Sequence, residues 1–116
     1  MIYSTTVSKD KFYPKYLRTV NGALKLSDKE ILVLAEFMKH NEKYIKDPEI
    51  VFSSPIRKKV QIALNMSPAN LNNYIQYLKN KNVIIDEEDM IVINKMVIPK
   101  IVNNESSVTF NFKINE

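Results

Sequence analysis

Two stretches of this chain, Ser54-Pro55-Ile56 to Leu64 and Ser67-Pro68-Ala69 to Asn80, open on the same dipeptide and are separated by only Asn65 and Met66. Serine is a favoured helix N-cap, and proline suits the first helical position because its missing N–H would have no intrahelical partner there. Two helices are expected, with Ser54 and Ser67 as caps. Joined by so short a gap, they must turn sharply against each other, and the remaining chain has to pack around that corner. In the first, Ile56, Val60, Ala63 and Leu64 form an inward stripe that leaves Arg57, Lys58, Lys59 and Gln61 outside. In the second, Leu71, Tyr74, Ile75 and Leu78 share the inward face.

The opposite face of the second helix is almost purely amide. Ala69, Asn72, Asn73, Gln76 and Asn80 stand there, flanked by Asn70, Tyr77 and Lys79. Asn and Gln can offer a paired donor and acceptor to N6 and N7 of adenine, and an α-helix fits the major groove of B-form DNA. The pair over residues 54–80 thus reads as a helix-turn-helix. Its second helix would supply base contacts from Asn70, Asn72, Asn73 and Gln76. The first would cross the backbone, so that Arg57, Lys58 and Lys59, together with Lys79, neutralise phosphates.

Elsewhere the pattern gives a small mixed fold. Ile2 to Val7 is β-branched and suits an edge strand. Pro14 sits where a first-turn proline would, followed by Tyr16, Leu17, Val20 and Leu24 at helical spacing, so a helix is expected over 14–24, fraying at Gly22. Ser27 and Glu30 make a capping box that starts a helix at Asp28, with Ile31, Leu34, Ala35 and Met38 on its core face. Residues 41–53 read as a docked loop. Val83-Ile84-Ile85 and Met90 to Ile93 flank the acids 86–89, a hairpin with a turn of about four residues over 83–94. Beyond Pro99 a loop precedes a terminal strand at 107–115, where Val108, Phe110, Phe112 and Ile114 alternate with polar residues and could pair with the strand at 2–7.

Bulk properties set bounds around this. A chain of 116 residues is one domain, able to bury roughly two thirds of its unfolded surface. No apolar run reaches the roughly 20 residues of a membrane span. Without cysteine or a leader-like N-terminus, the expected location is cytoplasmic, with no membrane partner. The net charge is +4, but four of the 13 acids are Asp86, Glu87, Glu88 and Asp89, so much of the remaining chain is distinctly basic. There is no glycine-rich phosphate loop, and the single histidine, His40, has neither a nucleophile to serve nor a second metal ligand. Neither an enzyme, a metal site nor a cofactor is expected. His40 is read as facing its helix C-terminal dipole.

The order helix, helix, recognition helix, two-stranded wing is similar to that of the winged helix-turn-helix superfamily. Leu26-Ser27-Asp28-Lys29-Glu30-Ile31 to Phe37, Met66-Ser67-Pro68-Ala69-Asn70-Leu71-Asn72-Asn73-Tyr74-Ile75 and Leu78-Lys79-Asn80-Lys81 resemble short winged-helix proteins of tailed bacteriophages and mobile elements. The resemblance spans about residues 14–94. It implies an α+β, mainly α fold and duplex DNA binding as a transcription or replication regulator in the host cytoplasm, carried by positions 69–80. Its wing departs from the family. Wings that touch DNA offer Arg or Lys, whereas this tip is Asp86-Glu87-Glu88-Asp89. A DNA-binding form would be a homodimer through the terminal strands or the first helix; the alternative is a winged-helix interaction module, such as a phage structural or adaptor protein of the virion, working in a protein assembly.

Overall fold

The computed structural model describes residues 6–40, 52–87, 90–99, 101–102 and 105–106. Along them run α1 (Lys9–Leu24), α2 (Asp28–His40), α3 (Ser54–Leu64), α4 (Pro68–Asn80), β1 (Ile84–Glu87), β2 (Met90–Ile93), a 3₁₀ turn (Lys95–Val97), β3 (Ile101–Val102) and β4 (Glu105–Ser106). The architecture is α+β and mainly α, with two small antiparallel pairs, β1-β2 and β3-β4.

The core gathers on α2. Its capping box is formed as the sequence suggests: the Glu30 amide donates to Ser27 Oγ at 3.2 Å, and the Ser27 amide donates to Glu30 Oε1 at 2.9 Å. Ile31, Leu34, Ala35 and Met38 are buried, but so are Val33 and Phe37. This second stripe follows from position, since α2 packs against α1, α3 and α4 and is covered on more than one side. Phe37 meets Phe52 at a ring separation of 4.6 Å, which docks the chain just before α3 on the core; residues 41–51 lie outside the described residues.

Helix α1 begins at Lys9, five residues before the expected start, so Pro14 lies inside it rather than in its first turn. An interior proline costs about 3 kcal/mol. Burial of Tyr13 and Leu17, with Phe12 stacked on Tyr16 at 6.0 Å, supplies the tertiary packing that offsets this. Tyr16 Oη donates to the Val97 carbonyl at 2.8 Å, joining α1 to the 3₁₀ turn; burial pushes the phenol pKa up, which keeps it a donor. Gly22 does not end the helix. Lys25 does, in the left-handed region at φ 58°, and Asn21 clamps the link to α2 through two bonds with the Leu26 backbone at 2.8 and 3.0 Å.

The N-cap position of α3 is Ser53, not Ser54, its side chain makes no capping bond, and Pro55 falls one position further in, where an N–H would also lack a partner. Its contact stripe is narrower than expected. Val60 is buried and Ile56 and Leu64 are half-buried, whereas Ala63 is exposed and Ile62 is 81% exposed. Asn65, at φ 53°, turns the chain in the left-handed region that asparagine tolerates, and its neighbour Met66 donates its amide to the Gln61 carbonyl. Ser67 then caps α4 by accepting from the Asn70 amide at 3.1 Å. Leu71, Ile75 and Leu78 are buried against the core, while Tyr74 is only half-buried.

Helix α4 runs directly into the hairpin. The Val83 amide donates to the Leu78 carbonyl at 3.1 Å, with Asn82 at φ 60° making the turn. In the ladder Ile84 faces Ile93 and Glu87 faces Met90, so two residues, not four, join the strands. Asp86 and Glu87 therefore belong to β1; Glu88 and Asp89 lie outside the described residues. The segment expected to be a loop beyond Pro99 contains the pair β3-β4, with Ile101 opposite Ser106. Of the strand expected at 2–7, only Thr6 and Val7 are described and neither is in a strand; the strand expected at 107–115 lies outside the described residues.

One ion pair, between a buried carboxylate and an exposed lysine, closes the far end of this arrangement. Glu30 is 4% exposed, and Lys81, one residue past α4, places Nζ 2.7 Å from Glu30 Oε1 and 2.9 Å from the Lys25 carbonyl. Burial acts to raise the Glu30 pKa. The Lys81 hydrogen bond, the two Ser27 bonds and the Lys81 charge together outweigh it and hold the carboxyl below its ordinary value. A lowered carboxyl pKa contributes stability that is present above the unfolded value of about 4.3 and lost as pH falls through the folded value.

Lys81→Met should therefore destabilise the protein by about 2 kcal/mol at pH 7 in urea unfolding, because it leaves a buried carboxylate without its cation. The gap to wild type should shrink as pH falls below about 4, because wild-type Glu30 takes up a proton on unfolding and loses its advantage, while the carboxyl left without Lys81 is more readily protonated in the folded state. At the corner, Asn65→Val should cost about 1–2 kcal/mol by the same measurement and Asn65→Gly almost nothing, since only the branched residue resists the left-handed backbone.

Candidate nucleic-acid interface

The amide face of α4 exists because its opposite face is fixed. With Leu71 and Leu78 fully buried and Ile75 nearly so, rotation of the helix about its axis would expose core, and the residues between them are held outward. Asn70, Asn72, Asn73, Gln76 and Asn80 are all exposed, as is Ala69. The four side chains expected to touch bases thus share one surface.

They are not equivalent on it. Asn72 Oδ1 accepts from Arg57 Nη1 at 3.2 Å, which leaves its NH₂ group as the outward function. Gln76 Nε2 donates to Asn80 Oδ1 at 3.3 Å, one turn along, so Gln76 keeps its carbonyl free and Asn80 its NH₂. Asn70 sits at the first turn, with its backbone amide committed to the Ser67 cap. Among the described residues, Asn73 alone of the expected base-reading four has both side-chain functions and its position on the helix free of such ties.

The cations expected at phosphates divide in the same way. Arg57 is half-buried, with Nε donating to the Phe52 carbonyl at 2.8 Å and Nη1 to Asn72. It ties the lead-in to α3, α3 itself and α4 into one unit, and its remaining N–H groups are what it can still present. Lys58 and Lys59 are exposed and form no ion pair among the described residues. Lys79 is engaged by Asp86 at 3.2 Å across the turn into the hairpin. Its charge is locally compensated. The positive side of this surface is therefore the α3 side, and the hairpin side is neutral to acidic.

Sequence reasoning missed three features here. The Arg57 contact with Asn72 spans 15 residues and leaves no periodic trace. Ile62, exposed on α3, was assigned to neither the inward stripe nor the outward polar set read from the sequence. The pairing of Lys79 with Asp86 was accessible in principle, because a tight turn after α4 brings the end of the helix beside the first strand. Tyr77 flanks the amide face, half exposed, with its ring edge-on to Tyr74 at 5.7 Å. His40 Nε2 lies 3.0 Å from Glu36 Oε2, one turn back on α2, rather than serving only the helix end.

Among the described residues there is no group of acids and histidines arranged to hold a metal ion, and no helix is long and apolar enough to cross a membrane. No protein-family model, curated protein or solved structure matches this chain.

Proposed function

We propose that this chain is a winged helix-turn-helix protein that binds duplex DNA, inserting α4 in the major groove as a transcription or replication regulator of a phage or mobile element. The observation that carries the reading is the pairing of five exposed amide side chains of α4 with an α3 joined to it through Arg57 and Asn72, whose Lys58 and Lys59 are exposed and form no ion pair among the described residues. Amides specify and cations hold. In this reading Asn73 and Gln76 carry most of the base discrimination, Asn72 presents its NH₂ to an acceptor under the control of Arg57, and Asn70 reads at the helix start. The hairpin β1-β2 is the wing. Its acids keep it off the phosphates, so the duplex leans toward α3.

The acidic hairpin also favours a second reading, an interaction module in which the same fold contacts protein within a virion or other assembly. Absence of any duplex shift at low salt, with co-purification in particles, would select it.

For the DNA reading, a duplex selected from random sequence should bind with an affinity that falls steeply with salt, and Lys58→Ala or Lys59→Ala should each lower the slope of log K against log salt by roughly 1. Asn73→Ala with Gln76→Ala should erase about 1–3 kcal/mol of discrimination between the selected and scrambled duplexes while leaving weak binding intact. Unchanged discrimination would end the proposed readout. Asp86→Asn frees Lys79 and should tighten binding roughly threefold at low salt by fluorescence anisotropy.

A further inference from the structure

A second surface, formed without α3 or α4, lies along the outside of α1. Lys11, Lys15 and Arg18 fall at i, i+4 and i+7 on its exposed side, opposite the buried Tyr13 and Leu17. They line an open groove of about 810 Å³ whose other walls are Val7, Pro14, Thr19 and Leu32 of α2. Leu32 is the outward-facing leucine of α2, 36% exposed while its neighbours Ile31 and Val33 are buried. Among the described residues none that lines it is acidic, and none of the three cations has an ion-pair partner.

We infer that this groove docks an acidic amphipathic helix of a partner protein, its apolar side chains on Val7, Pro14 and Leu32 and its carboxylates on Lys11, Lys15 and Arg18. Charge sign selects the partner: three unpaired cations on one helix face require carboxylates or phosphates opposite them. The apolar floor decides between those two. A phosphate backbone gains nothing from valine, proline and leucine, whereas a helix laid in a groove uses apolar residues at i, i+3, i+4 and i+7 with charges at its flanks. The spacing also fits. From Lys11 to Arg18 the cations span about 10 Å, two helical turns, which matches carboxylates repeated every three to four residues on a facing helix. The aliphatic stems of the lysines and arginine lengthen the apolar walls and leave the charged heads at the rim.

The test uses the full-length ¹⁵N-labelled protein and a synthetic helical peptide with leucines at i, i+3 and i+7 flanked by glutamates. Its amide shifts should map to Lys11, Lys15, Arg18 and Leu32, and the combined Lys11→Glu, Lys15→Glu and Arg18→Glu variant should bind at least about tenfold more weakly, a loss of about 1.4 kcal/mol. Leu32→Ser, which keeps all three cations, should weaken the same peptide as well. A peptide with lysines replacing the glutamates, or serines replacing the leucines, should fail to shift these amides. The inference is overturned if the serine peptide binds as well as the leucine one, which would make the effect bulk charge alone. It is equally overturned if a duplex DNA shifts these amides more tightly than the peptide does, or if no peptide shifts them.

Discussion

A single ammonium group holds the two ends of this fold in register. Lys81 reaches from the end of α4 to the start of α2, where it meets a carboxylate that is already committed to capping α2 and a backbone carbonyl that ends α1. Three helices are thereby referred to one point. Because the hairpin starts three residues later, at Ile84, its root is referred to the same point, and the direction in which α4 presents its amides follows from it. A pair with one buried partner is weak evidence of net stability, since desolvation of the carboxylate offsets much of the attraction. Its contribution is better understood as geometric: without the Lys81 ammonium, the Glu30 carboxylate has no acceptable place in the core.

The candidate interface is organised by how its polar groups are already spent. Arg57 is half structural, bonded to Phe52 and Asn72, and so orders both the helix that would touch phosphate and one amide that would touch a base. Lys79 is balanced by Asp86. The consequence is an electrostatic gradient across a surface that composition alone would have painted uniformly basic. Lys58 and Lys59 mark its positive end and the hairpin its negative end, and a polyanion meeting it would settle asymmetrically.

Much of this was legible in the residues wherever the interaction was local. The Ser27 and Glu30 box, the Ser67 cap before Pro68, and the amide face of α4 all depend on contacts within one or two helical turns, and each was found where its spacing put it. Non-local competition defeated the same reasoning elsewhere. Pro14 looked like a beginning because local rules place proline there, yet the aromatic cluster of Phe12, Tyr13 and Tyr16 carried the helix back to Lys9. Asp86 and Glu87 looked like turn residues by charge, and the ladder opposite Ile91 and Met90 made them strand. Lys81 carried no sign of its role, because its partner is 51 positions away.

The burial of α2 on more than one side has a further consequence for how the molecule comes apart. Helix α2 packs against α1, α3 and α4, and its buried residues Leu34, Phe37 and Met38 belong to one cluster with those of the other helices, so among the described residues no element has a core of its own. Loss of α2 from the centre would release the helix pair and the hairpin together, making the amide surface an all-or-none property of the folded chain rather than one that persists in a partly open form.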